Sequence, residues 1–127
     1  MEKQFVTYEI AKKLKELGFD EPCIKMILIG GSVGFVNKES DILSKPITNT
    51  QGGKYTITYP LWQQAIDWLR ENHDIIVEVW FDESQDDGFD WMYEIYVNKK
   101  AHEHDGSYYG TFYNCREAGI LKAIKLS

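Results

Sequence analysis

Apolar positions recur along this chain with two different periods, and the period alone sorts most of it into helices and strands. Ile10, Leu14 and Leu17 fall on one face at helical spacing, so a helix is expected from Tyr8 to Leu17 with Thr7 as its N-cap. Gly18 suits the left-handed position just beyond the helix, Phe19 can fold back onto Leu14, and Asp20-Glu21-Pro22 forbids continuation. Cys23 to Ile29 is short, apolar and partly branched, which predicts a buried strand. Gly30-Gly31-Ser32-Val33-Gly34 interrupts it and Phe35-Val36 resumes it. Residues 37–53 are polar, carry Pro46 and Gly52-Gly53, and form the longest stretch without a period. Lys54 to Thr58 reads as a second strand, with Tyr55 and Ile57 on one face and Thr56 and Thr58 on the other.

Pro60 at a first helical position opens a helix over Leu61 to Asn72. Leu61, Ala65, Trp68 and Leu69 form its expected core stripe, flanked by Trp62 and Ile66. Ile75 to Asp82 and Trp91 to Asn98 alternate with period two and predict a hairpin closed by the acidic loop Glu83 to Asp90. Tyr108 to Phe112 can add an edge strand. A last helix over Tyr113 to Leu126 would bury Cys115, Ala118, Leu121 and Ile124. The expected order is α-β-β-α-β-β-(β)-α. It predicts an α+β fold in one domain spanning residues 1–127, a single antiparallel sheet of four or five strands with helices packed on one face. Each half reads helix-strand-strand after a Thr-Tyr pair, Thr7-Tyr8 and Thr58-Tyr59, but the residues beyond those pairs do not align as a repeat.

Composition narrows the function. Apolar residues make up 43% and charged residues 27% of 127, which suits a globular domain. A formal charge of −6 counts against a general nucleic-acid binder, which needs Lys and Arg to displace counterions from phosphates. No apolar run is long enough to cross a bilayer, and Met1-Glu2-Lys3-Gln4 leads into an amphipathic segment, the pattern expected of a cytoplasmic chain. Cys23 and Cys115 are then expected to be reduced, buried thiols.

Candidate chemistry is sparse. The Gly30–Gly34 segment follows a strand as a phosphate loop does, but Phe35-Val36-Asn37-Lys38 offers no helix start to aim N–H groups at an anion. Asp82 to Gly88 echoes a calcium loop, yet its glycine falls at the seventh place and Tyr93 stands where a bidentate glutamate belongs. His102-Glu103-His104-Asp105 gathers two histidines in one loop, short of the ligand set and supporting groups that zinc requires. Neither cysteine is placed to act as a nucleophile beside a histidine. No catalytic, cofactor-binding or metal-binding residues are assigned, and no enzyme activity is expected.

One surface asks for an explanation. If Ile75, Val77, Val79 and Phe81 join Trp91, Tyr93, Ile95 and Val97 against the helices, the opposite face carries Ile76, Glu78, Trp80, Met92, Glu94 and Tyr96. A single-layer antiparallel sheet normally turns polar residues to water, so Ile76, Trp80, Met92 and Tyr96 are the candidate interaction surface. Three readings stand: another segment covers the face as core, the face docks a protein partner or a second copy as a homodimer, or it stacks single-stranded bases. Glu78 and Glu94 at its centre count against the last.

Two segments also resemble a known group. Thr7-Tyr8-Glu9-Ile10-Ala11-Lys12-Lys13-Leu14-Lys15-Glu16-Leu17-Gly18-Phe19-Asp20-Glu21-Pro22-Cys23 resembles the opening of a large group of short uncharacterised proteins from gut bacteria and their phages. Leu61-Trp62-Gln63-Gln64-Ala65-Ile66-Asp67-Trp68-Leu69-Arg70-Glu71-Asn72-His73 resembles their middle, and Tyr113 to Ala118 loosely echoes their closing helix. That group has no established activity, so the resemblance transfers no functional residues and implies only a phage or mobile-element setting. The expectation is a non-enzymatic protein-binding or regulatory module. The alternative is a domain that binds or sequesters a small, nucleotide-like ligand, with the Gly30–Gly34 bend allowing close backbone approach.

Overall fold

The computed structural model describes residues 4–29, 41–83, 88–102 and 107–127. In chain order the elements are α1 (Tyr8–Glu16), β1 (Cys23–Leu28), β2 (Asp41–Ile47), α2 (Asn49–Gly52), β3 (Thr56–Tyr59), α3 (Trp62–His73), β4 (Ile75–Phe81), β5 (Trp91–Val97), β6 (Lys100–Ala101) and α4 (Phe112–Leu126). The chain divides into two compact units, Met1–Ala65 and Ile66–Ser127, and the division falls inside α3. No helix among the described residues is long and apolar enough to cross a membrane.

The fold is α+β, and its strands form two small antiparallel sheets where one sheet of four or five was expected. In the first unit β1 is central, with β2 on one side and β3 on the other. In the second the order is β4-β5-β6. The physical reason is that each central strand has both of its edges occupied by strands of its own unit. The central strand comes first in one sheet and second in the other, so the two units do not repeat a topology.

Helix α1 follows its sequence signals closely. The Thr7 hydroxyl accepts from the Ile10 N–H at 3.4 Å. At the other end Gly18 takes φ +99°, its N–H bonds Lys15 O at 3.0 Å, and the Phe19 N–H bonds Leu14 O at 2.9 Å. This paired closure satisfies two orphan carbonyls and leaves Leu14 and Phe19 buried. The helix packs against β3, all four residues of which are buried.

The polar stretch expected to be irregular holds both β2 and α2. Strand β2 contains Lys45 and Pro46, and its register with β1 shifts between Cys23 and Lys25. Proline cannot donate to a ladder, so an edge strand with a broken register is where it fits. Thr48 and Gln51 cap α2 reciprocally, the Thr48 hydroxyl accepting from the Gln51 N–H and the Gln51 side chain from the Thr48 N–H. The segment Gly30 to Phe35-Val36 lies outside the described residues.

Helix α3 starts one residue later than expected. Leu61 forms an isolated antiparallel bridge with Phe5 and is exposed, while Trp62 is buried with Ala65, Trp68 and Leu69. Asp74, at φ 53°, turns the chain out of the helix, and its carbonyl accepts from the Asn98 N–H at 3.0 Å. Strands β4 and β5 pair without interruption from Ile75↔Val97 to Phe81↔Trp91. Asn98 and Lys99 both have positive φ, the conformation a two-residue hairpin turn requires, and they lead into β6. The edge strand expected over Tyr108 to Phe112 reduces to one bridge, Tyr109↔Trp91, and Phe112 already begins α4. Helix α4 packs on β4 and β5. Its buried stripe is Cys115, Gly119, Ile120, Ala123 and Ile124, shifted from the expected one because Gly119 lets the backbone approach the sheet. A Cβ at Gly119 would stand 3.1 Å from both Tyr93 Cγ and Val77 Cγ1.

Candidate functional site

Because Val77 and Tyr93 face α4, the alternate residues of β4 and β5 lie on the other side of the sheet. Cross-strand neighbours there are Ile76↔Tyr96, Glu78↔Glu94 and Trp80↔Met92, three pairs in one register. The four residues proposed from sequence therefore share a face, with two glutamates directly opposite each other at its centre. Trp80 is 42% exposed and Glu78 is exposed, whereas Ile76, Met92, Glu94 and Tyr96 are half-buried.

The electrostatics of this face are negative. The carboxylates of Glu94 and then Glu78, with some desolvation and a hydrogen bond to Glu94, push the Tyr96 phenol above its ordinary pKa. Like charges directly opposite in a ladder cost roughly 0.2–1 kcal/mol, so the glutamate pair does not serve the stability of the hairpin. Among the described residues neither carboxylate has an ion-pair partner, whereas on α3 Arg70 lies 3.2 Å from Asp67 and 3.7 Å from Glu71.

A second aromatic surface escaped the sequence reading. Phe81 and Trp91, both expected against the helices, meet edge to face at 5.3 Å between centroids. Trp91 meets Phe112 in the same way at 5.4 Å, and the Arg116 guanidinium lies 4.9 Å from the Phe112 ring. Phe81 is 50% exposed and Phe112 is exposed, so this end of the inner face opens to solvent. The only sequence signal was position: Phe81 closes its strand, where the covering helix is only beginning.

In the first unit an open groove of about 360 Å³ is lined by Lys15, Phe19, Asp20, Asn49, Thr50 and Lys54 among others. Its polar groups bind the protein itself. Lys15 Nζ donates to the carbonyls of Gly53, Lys54 and Thr56. Asp20 accepts from the Thr50 N–H at 2.7 Å and hydroxyl at 2.8 Å, which holds its carboxyl below the ordinary carboxylate range. Buried Asn49 donates to Phe19 O at 2.8 Å and accepts from the Thr58 N–H at 3.0 Å. These bonds tie α1 and the loop after it to α2, the turn that follows it and β3, and account for the groove structurally.

Lys25 was hidden inside an apolar strand in the sequence. It is 5% exposed, with its ammonium 4.6 Å from the Tyr59 ring centroid and 5.2 Å from that of Phe5. A lysine in the middle of Cys-Ile-Lys-Met-Ile-Leu was the signal that could have marked it. Both cysteines are buried. Burial pushes the Cys115 thiol up to about 11, and burial, with a smaller contribution from the Glu21 carboxylate, raises Cys23 to about 11. Neither is a thiolate at neutral pH.

Of the loop motifs, residues 84–87 and 103–106 lie outside the described residues, including His104 and Asp105. The His102 N–H bonds Ile95 O at 2.7 Å, extending the β6 edge. No group of three or more His, Cys, Asp or Glu among the described residues could hold a metal ion. No protein-family model matches the chain, and no curated protein or solved structure matches it.

Proposed function

We propose that this chain is a non-enzymatic binding module that docks another polypeptide on the β4–β5 face opposite α4. The observation that carries the reading is Trp80, exposed on a rigid seven-residue ladder and set opposite Met92, two positions along the strand from the glutamate pair. Tryptophan, tyrosine and methionine are enriched at interfaces: the two aromatics supply large contact area at small entropic cost, and methionine adapts its shape to a partner. A ladder paired at every position holds them in place before a partner arrives, which reduces the ordering cost of association.

The test is Trp80→Ala, followed by urea unfolding and by photo-crosslinking from a probe at position 92. An interface residue leaves stability within about 0.5 kcal/mol of the parent. The same change should lose the crosslinked partner. A buried core tryptophan would instead cost about 3–5 kcal/mol, and that outcome would sink the proposal.

A further inference from the structure

The glutamate pair restricts what can occupy this face. Two carboxylates directly opposite one another, with no cation of the described residues to neutralise them, oppose the approach of any surface that is acidic or merely apolar. They also oppose a second copy of the chain. A two-fold contact through this patch would set Glu78 and Glu94 of one protomer against the same two residues of its partner, four carboxylates in one desolvated layer. A cationic side chain reverses the sign. An ammonium or guanidinium over the Glu78↔Glu94 pair is neutralised by both carboxylates, with Trp80 one step along the ladder on one side and Tyr96 one step along on the other. Aromatic faces attract a cation further. Ile76 and Met92 then offer apolar contact to the stem of the same residue and to its neighbours. The net charge of −6 favours encounter with a basic partner over distance.

From this arrangement, and resting on the docking role proposed above, we propose that the β4–β5 face binds a basic polypeptide segment by seating an arginine or lysine between Trp80 and Tyr96 on the Glu78–Glu94 pair. The raised Tyr96 phenol pKa reports the same negative potential that the cation would neutralise.

The experiment uses the full chain and a fluorescein-labelled peptide of alternating Arg and Leu, with a Gln-for-Arg peptide as comparison. Anisotropy titrations compare the parent, the double variant Glu78→Gln/Glu94→Gln, Trp80→Ala, and a charge-matched control, Asp67→Asn/Glu71→Gln. The expected result is binding of the Arg peptide only, weakened about tenfold or more by Glu78→Gln/Glu94→Gln and by Trp80→Ala, and unchanged in the control. If Trp80→Ala weakens binding while the glutamate variant does not, or if the Gln peptide binds equally well, the cationic partner is overturned and the docking face stands. If neither the Trp80 nor the glutamate variant affects binding, or the control weakens it as much as the glutamate variant does, both are overturned. If the parent self-associates through this face in sedimentation, and the glutamate variant does so more strongly, the occupant is a second copy and the proposal fails.

Discussion

Residues up to Ala65 and residues from Ile66 onward each build three antiparallel strands, yet they hold them by different means. In the first unit polar side chains do much of the joining: Asn49 bridges Phe19 and Thr58, Lys15 gathers three carbonyls, and Asp20 ties Thr50. Its edge strands are guarded, β2 by Lys45, Pro46 and a broken register, and β3 by the Asn49 side chain that takes the Thr58 N–H. In the second unit an unbroken ladder and close helix packing at Gly119 suffice, and Glu78 and Glu94 on the outer face of the sheet have no ionic partner among the described residues. Polar groups that complete a fold are satisfied within it. Polar groups left over, as at Glu78 and Glu94, are where a partner is to be sought.

The comparison breaks most sharply at Asn49. Asn49→Ala removes two buried hydrogen bonds, to Phe19 O and from the Thr58 N–H, and about 3 kcal/mol of stability should be lost, read from the urea midpoint. In the second unit the equivalent blow is steric. Gly119→Val drives a branched side chain into Tyr93 and Val77 and should cost about 2 kcal/mol by the same measurement, most of it overpacking. The smallest effect belongs to Asp20, whose carboxyl is held low by the Thr50 N–H, the Thr50 hydroxyl and Thr48. A depressed folded-state pKa gives stability that is present above the unfolded value and lost as pH falls through the folded one. The parent should therefore lose stability as pH drops below the ordinary carboxylate range, and Asp20→Asn should flatten that part of a stability–pH profile. An unchanged acid limb in Asp20→Asn would mean that the Thr50 bonds contribute nothing.

What was legible in the sequence follows the same division. The α1 caps, the α3 stripe from Ala65 to Leu69 and the β4–β5 hairpin rest on local periodicity and on Gly18 and Thr7, signals that act within a few residues. The face holding Ile76, Trp80, Met92 and Tyr96 follows from strand alternation, because an uninterrupted register makes alternation a geometric fact. Strand β2 and helix α2 were illegible because their residues are polar and their stability comes from partners outside any local period: β1, Phe19 30 residues before Asn49, and Thr58 in β3. The division into two sheets was hidden for a related reason: periodicity tells which residues are strands and says nothing of which edges meet. The groove bonds of Lys15 and Asp20 are invisible for the same cause, since the carbonyls that Lys15 reaches lie 38 to 41 residues away.

Cys23 and Cys115 have a practical use beyond packing. One thiol lies in each unit, 4% and 0% exposed, and both are protonated at neutral pH. Either reacts with a thiol reagent only when its surroundings open, so single-cysteine variants turn the rate of labelling into a clock for each unit separately. Equal clocks would reveal one cooperative unfolding event, and unequal clocks two, with no cysteine introduced beyond the two the chain already holds.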